Sequence, residues 1–191
     1  VLQISKDVPK RIFGNPKIEI SSLSYDSRKI KQNGLFIAQK GIQFDGNKFI
    51  SEAIDKGAIA IVCESLPDLP NKDTTFILVH NASKALGIIS SNFYSNPSKE
   101  INLVGVTGTN GKTSVVWLLH ELFSNLGYTS GLISTVKVKF LNKEFKNKYT
   151  TPDPISINNY LRQMVDLGLK YCFMEVSSHG ISQHRIEGLN F

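Results

Sequence analysis

The residues best equipped for chemistry fall in the stretch GVTGTNGKTS, from Gly105 to Ser114. Glycines at this density let a loop turn its backbone N–H groups toward one anion, and a following helix would add its N-terminal N–H groups to the same target. Lys112 would place an ammonium against terminal phosphates, and the Thr113 hydroxyl would hold a magnesium ion, as the residue after the lysine does in a phosphate loop. Gly108, Thr109, Asn110, Gly111, Lys112, Thr113 and Ser114 are therefore the candidate nucleotide contacts. The strict spacing GxxxxGK(S/T) is not met, because Val106 stands where the first glycine belongs, with Gly105 and Gly108 on either side. A second candidate is Glu175, near the end of KYCFMEV. A carboxylate at the carboxyl end of a strand suits a hard cation, and a structural ion pair is the plainer alternative. His179 and His184 flank it, and polar-loop histidines of this kind serve as hydrogen-bonding residues; no role is assigned to either.

The elements that must position these residues follow from hydrophobic periodicity. INLVGV reads as a strand, the glycine stretch as its loop, and 112–126 as a helix stopped by Gly127, with Val115, Val116, Leu118, Leu119 and Leu122 giving a broad apolar face. LISTVKVKF reads as one strand, Asp153-Pro154 as an N-cap with proline at N1 of a helix carrying Ile157, Leu161, Met164 and Val165, and KYCFMEV as a returning strand. Upstream, after an irregular start, GLFIAQ, NKFISEAIDKG and AIAIVCE form a βαβ pattern. TTFILVH repeats the strand, and Asn81 caps a helix carrying Ala82, Ala85, Leu86, Ile89 and Phe93. The polar segment SNPSKE separates the two patterns, so the expected domains are 1–98 and 99–191. Alternating strands and helices predict an α/β fold with mostly parallel sheets, whose ligands belong at the carboxyl ends of strands.

Composition narrows the function classes. With 191 residues, 41% hydrophobic and 20% charged, the chain can bury cores and is neither disordered nor collagen-like. The longest apolar runs, 58–63 and 115–119, are far short of the ~20 residues a membrane span needs. The opening VLQISKDVPKRIFG has no signal-peptide pattern, so a cytoplasmic setting is expected. Cys63 and Cys172 sit in apolar runs and read as buried, reduced thiols. The net charge of +6 fits an anionic ligand. Lys137, Lys139, Lys143, Lys146 and Lys148 alternate with apolar residues across a strand and turn, which makes a solvated face and not a nucleic-acid site.

The variant TGTNGKTS after the strand VGV resembles the ATP-binding loop of the Mur ligases, ADP-forming enzymes that build the peptide stem of peptidoglycan precursors. DSRKIKQNGLFIAQKGIQFDGNKFI, TTPDP and MEVSSHGISQHRIEGL are similar to the member that adds the third residue of that stem, and the three blocks fall in the family's order over residues 25–191. The ATP loop is shared with folylpolyglutamate and cyanophycin synthetases; TTPDP and MEVSSHGISQHR are the more specific pieces.

The resemblance implies a small amino-terminal α/β domain that binds the uridine diphosphate of the substrate, followed by the start of a P-loop-type α/β ATPase domain. The positions matching its uridine-diphosphate contacts are Tyr25 and Ser27, beside Asp26, with Ile42, Gln43 and Phe44 in the next loop. Without the resemblance YDSR reads as an ordinary turn. Thr150, Thr151, Ser177, Gln183 and Arg185 match contacts to the muramoyl peptide, where helix capping and loop hydrogen bonding are the bland alternative. Glu175 matches the family's metal-binding glutamate, so Lys112 and Glu175 are the candidate catalytic residues and Thr113 and Glu175 the candidate magnesium ligands. The implied reaction phosphorylates the D-glutamate side-chain carboxylate of UDP-N-acetylmuramoyl-L-alanyl-D-glutamate with ATP and Mg2+, and the amine of a diamino acid attacks the acyl phosphate. The expected partners are UDP-N-acetylmuramoyl-dipeptide, ATP and either meso-diaminopimelate or L-lysine, with no nucleic acid, no membrane and a monomeric chain. A non-catalytic nucleotide-binding module and a folylpolyglutamate or cyanophycin ligase are the rivals, disfavoured by DSRKIKQNGLFIAQKG and TTPDP. The absence of an initial Met and of the family's carbamylated lysine, later histidine and carboxyl-terminal domain reads as part of a longer protein, inactive alone.

Overall fold

The computed structural model describes residues 1–41, 45–68 and 70–191. The chain divides into two compact units, 1–92 and 93–191. The polar turn at Asn96-Pro97, inside the segment chosen as the boundary from sequence, lies in the second unit.

In the first unit the strands are β1 (Lys10–Phe13), β2 (Ser22–Ser24), β3 (Gly34–Ile37), β4 (Ala58–Cys63) and β5 (Thr75–Val79), in the spatial order β1-β5-β4-β3-β2. β2 to β5 pair parallel; β1, in the segment expected to be irregular, adds an antiparallel edge. Helix α1 (Ile50–Asp55) follows a 3-10 turn over Gly46–Phe49 and buries Ile50 and Ala53. Helix α2 (Ala82–Phe93) starts where Asn81 accepts the N–H of Lys84 at 2.8 Å, and Glu64 accepts that of Ala82 at 2.9 Å. β3 is buried throughout and β4 nearly so, as parallel strands covered on both faces must be.

The second unit holds β6 (Asn102–Val106), α3 (Lys112–Asn125), β7 (Ser130–Ile133), β8 (Lys137–Phe140), β9 (Lys143–Lys146), α4 (Pro154–Asp166), β10 (Tyr171–Glu175) and the short α5 (Ser178–Ser182). The sheet order is β6-β10-β7-β8-β9. β6, β10 and β7 are parallel, as expected, while β8 and β9 are antiparallel additions. LISTVKVKF is therefore not one strand. Ser134 reverses the chain, its hydroxyl donating to the Lys137 carbonyl at 2.9 Å, and an apolar run without glycine or proline hides that turn from periodicity.

Helix α4 begins as its sequence predicts: the Asp153 carboxylate accepts the Ser156 N–H at 3.0 Å and the Ser156 hydroxyl at 2.7 Å, with Pro154 in the first turn. Ile157, Leu161 and Met164 pack with Ile133, Val138, Phe140, Cys172 and Met174 in the main core of this unit. α3 packs against the sheet through Val116 and Leu119, which meet Leu132 and Phe173. Here the expected broad face is corrected: Val115, Leu118 and Leu122 are exposed, because α3 buries only the narrow stripe of Val116 and His120. Cys63 and Cys172 are both buried free thiols, and burial raises their pKa, that of Cys63 to about 11. No helix among the described residues is long and apolar enough to cross a membrane.

Candidate functional site

Two strand ends lie side by side. In the parallel ladder Glu175 of β10 is the register partner of Val106 of β6, immediately before the glycine loop. Neighbouring strands are about 4.8 Å apart, so the loop and the carboxylate emerge on the same edge of the sheet.

Gly108 (φ +147°) and Gly111 (φ +81°) adopt backbone conformations that a side chain resists, and no neighbouring atom comes within 4 Å of a Cβ built at Gly111. These two glycines thus serve the loop's path and not a tight contact. Gly105 differs: it lies inside β6, and a Cβ there would meet the Phe191 ring at 2.8 Å. The departure from strict phosphate-loop spacing has its place here, since Gly105 sits in the strand and Gly108 and Gly111 shape the turn. Lys112 opens α3 and folds over the loop, its ammonium donating to the carbonyls of Gly108 at 2.6 Å and Thr109 at 3.3 Å. Thr109, Asn110 and Ser114 are exposed around it and Thr113 is half-buried at the helix start.

Glu175 is 1% exposed, so its charge requires partners. Both oxygens are met by one residue: the Thr135 N–H donates to Oε1 at 2.7 Å and the Thr135 hydroxyl lies 3.1 Å from Oε2. Glu175 makes no ion pair within the described residues, so the salt-bridge alternative does not hold. Thr135 was not singled out from sequence. LISTVKVKF carries one strand pattern straight through this position, so nothing in the sequence marks Thr135 as lying just past the end of β7, next to the strand that ends at Glu175.

The residues matched to a muramoyl peptide come together around this carboxylate. The Thr151 hydroxyl bonds the Glu175 carbonyl at 3.1 Å, the Ser177 N–H at 2.9 Å and the Ser177 hydroxyl at 3.1 Å. Ser177 caps α5 by accepting the Gly180 N–H at 3.0 Å. Arg185 donates to the Thr151 carbonyl at 2.7 Å and to Gln183 Oε1, and its guanidinium lies 4.9 Å from the Tyr149 ring centre. Thr150 is half-buried, 3.2 Å from the Thr135 hydroxyl. Thr151 is fully buried, so its side chain shapes the loop, whereas Thr150, Gln183 and Arg185 keep accessible surface. The His184 ring bonds Glu187 at 3.0 Å, consistent with assigning it no chemistry.

In the first unit Tyr25 is 38% exposed beside a turn capped by Asp26. The Arg28 side chain bonded to Asp26 holds that carboxyl below its ordinary pKa. The Ser27 hydroxyl is buried and donates to Glu52 at 2.8 Å. Ile42, Gln43 and Phe44 lie outside the described residues. Of the lysine cluster, Lys137 and Lys139 lie 5.1 and 5.5 Å from the Trp117 ring centre, and Lys137 pairs with Glu144 at 2.7 Å.

Among the described residues no group of three or more His, Cys, Asp or Glu side chains is placed to hold a metal ion. Magnesium, however, commonly takes one or two protein oxygens and fills its shell with water and substrate phosphates. The Glu175 carboxylate and Thr113 hydroxyl fit that demand in donor chemistry.

The comparisons with known proteins cover both units. The description "Mur ligase family, catalytic domain" matches residues 19–94, and "Mur ligase middle domain" matches residues 106–191. The UDP-N-acetylmuramoyl-L-alanyl-D-glutamate–2,6-diaminopimelate ligase of Cytophaga hutchinsonii is 48% identical over 181 residues, 94% of this chain and 37% of the relative. The enzyme of the same name from Clostridium botulinum is 43% identical over 190 residues, covering 98% and 39%. A solved structure carrying that name superimposes with a TM-score of 0.75 at 25% identity, over 91% of this chain and 35% of that one. The chain thus spans well under half the length of the relatives it matches. With one description falling on each unit and relatives agreeing along nearly the whole sequence, the chain belongs to the Mur ligase family.

Proposed function

We propose that the chain provides the uridine-diphosphate-binding and phosphate-binding parts of an ADP-forming amide ligase acting on UDP-N-acetylmuramoyl-L-alanyl-D-glutamate. The observation that carries this reading is the pairing of Glu175 with Val106, which sets a buried carboxylate beside a glycine loop that opens a helix. The loop N–H groups and the positive end of α3 bind phosphate oxygens, and Lys112 exchanges its two carbonyl contacts for the terminal phosphates of ATP. Glu175 and Thr113 would hold a magnesium ion, which when bound would supply positive charge beside the phosphate oxygens. Arg185 and Gln183 orient the carboxylate-bearing peptide, which keeps an otherwise bimolecular step within one site. In the first unit Tyr25 and the Asp26–Arg28 turn lie against the uridine diphosphate, with Ser27 shaping the turn through Glu52.

The names of the relatives favour 2,6-diaminopimelate over L-lysine as the added residue. A monomer in the cytoplasm is the proposed state, and the domains are proposed as 1–98 for the nucleotide-sugar end and 99–191 for ATP. Calorimetry of ATP with and without Mg2+, and of UDP-N-acetylmuramoyl-dipeptide, tests the reading. Binding of both ligands with Mg2+-dependent ATP affinity is the expected result; ATP affinity indifferent to Mg2+ in wild type and in Glu175→Gln alike overturns the metal assignment. Ligated product from this chain alone, detected by mass spectrometry, would show that its division of labour is wrong.

A further inference from the structure

We infer that Thr135, in the turn between β7 and β8, is the positioning residue of Glu175, an inference that rests on the proposed reading of Glu175 as a magnesium ligand. A carboxylate at a strand end can rotate about its last torsion, and a cation selects one rotation. Thr135 fixes that rotation from both sides, with its N–H on Oε1 at 2.7 Å and its hydroxyl on Oε2 at 3.1 Å.

The hydroxyl has one proton to give, and its oxygen also lies 3.2 Å from that of Thr150. An ionised carboxylate only accepts, so the Thr135 proton goes to Glu175, while the Thr150 oxygen lies on the acceptor side of the same hydroxyl. The Thr135 hydroxyl thus stands between Thr150 of TTPDP and the buried carboxylate. Each carboxylate oxygen keeps lone-pair capacity beyond the bond it accepts, so two donors orient the group without consuming it. Partners of this kind typically change metal affinity about 10–100-fold when removed.

The backbone bond survives any side-chain change short of proline, so Thr135→Val removes the hydroxyl contact alone and Thr135→Ser restores it. Thr135 is exposed, which keeps the substitution away from the cores. The experiment titrates Mn2+, followed by the free-ion paramagnetic resonance signal, against the full chain with ADP bound. The forms compared are wild type, Thr135→Val, Thr135→Ser and Glu175→Gln, and ADP affinity without divalent ion is measured for each. The expected result is Mn2+ affinity weakened at least tenfold in Thr135→Val and in Glu175→Gln, recovered in Thr135→Ser, with metal-free ADP affinity equal in all four. Wild-type Mn2+ affinity in Thr135→Val while Glu175→Gln is weakened overturns the positioning role alone. Wild-type Mn2+ affinity in Glu175→Gln overturns the metal reading, and the inference with it. Loss of metal-free ADP affinity in Thr135→Val would show that the residue supports the site's fold instead of orienting the carboxylate, and also overturns it.

Discussion

The two loops that leave the sheet of the second unit at β6 and β10 are held by opposite means. After β6 the path is set by backbone conformation at Gly108 and Gly111, and Lys112 is the side chain that bridges back to the loop's carbonyls. After β10 the path is set by side chains: Thr151 ties the strand end to Ser177 and takes Arg185 on its carbonyl, and Ser177 caps α5. On the proposed reading the first loop's N–H groups bind an outside anion and cannot be spent internally, so glycine conformation replaces hydrogen bonding. A loop that must present an amide and a guanidinium at fixed places gains from a buried hydroxyl at its centre, since a fully satisfied polar network specifies one arrangement.

The contrast predicts that the first loop breaks in binding and the second in stability. Lys112→Ala should weaken ATP binding by about 1.5–3 kcal/mol, the usual worth of a hydrogen bond to a charged group, or about 10–150-fold in calorimetry. Its unfolding midpoint in urea should stay at the wild-type value, because Lys112 caps no core contact. A lowered midpoint with unchanged ATP affinity would reverse the roles of the two loops.

Thr151→Val keeps shape but removes a buried hydroxyl and strands the half-buried Ser177 N–H, and an unsatisfied donor shielded from water costs about 1–3 kcal/mol. Urea unfolding should show that loss, while ATP affinity stays within about twofold of wild type, less than a 1.4 kcal/mol decade. A midpoint unchanged by the substitution would mean the network is a consequence of the loop's path and not its cause.

How far each loop could be seen in the sequence follows from the same difference. The glycine loop was legible because conformation demands a residue type: glycines before a lysine, between a strand pattern and a helix pattern, leave few other readings. Helix α4 was legible for a like reason, since Asp153 and Pro154 are the residues its first turn requires. The Thr135 contact was not, because its partner lies forty positions away and any hydroxyl at the turn could have pointed elsewhere. The turn at Ser134 was hidden by β-branched residues that suit a strand, and the exposed face of α3 by apolar residues that suit a core. In both cases local pattern states what a segment could pair with, and the tertiary neighbours decide.

Gly111→Ala sharpens the comparison from the first loop's side. A Cβ there would touch nothing within 4 Å, so the cost is the left-handed conformation alone, about 1–2 kcal/mol. The unfolding free energy from urea titration should fall by that amount or ATP affinity should fall correspondingly, according to whether the loop keeps its path. Wild-type values for both would show that the loop's shape does not depend on glycine.

The smallest expected effect concerns the support of the first loop. His120 is buried on α3, one ring nitrogen 2.7 Å from the Ser130 hydroxyl of β7. Desolvation by burial lowers its pKa, and the nearby ammonium groups of Lys139 and Lys137 lower it further against an opposing pull from Glu121. In the unfolded chain the imidazole titrates near its ordinary value, about 6.5. Between that value and the lower folded pKa the unfolded state binds more protons, so stability rises with pH there. The contribution is fully present above about pH 6.5 and is lost as pH falls below it. Urea midpoints measured from pH 7.5 down to 5.5 should therefore drop more steeply for wild type than for His120→Gln, which cannot titrate. The Thr151 hydroxyl bonds Glu175 and Ser177 and neither is a histidine, so adding Thr151→Val should lower both curves without changing the gap between them. Parallel profiles for wild type and His120→Gln would mean the imidazole binds protons alike in both states, and the helix carrying the glycine loop would owe nothing to its neutral form.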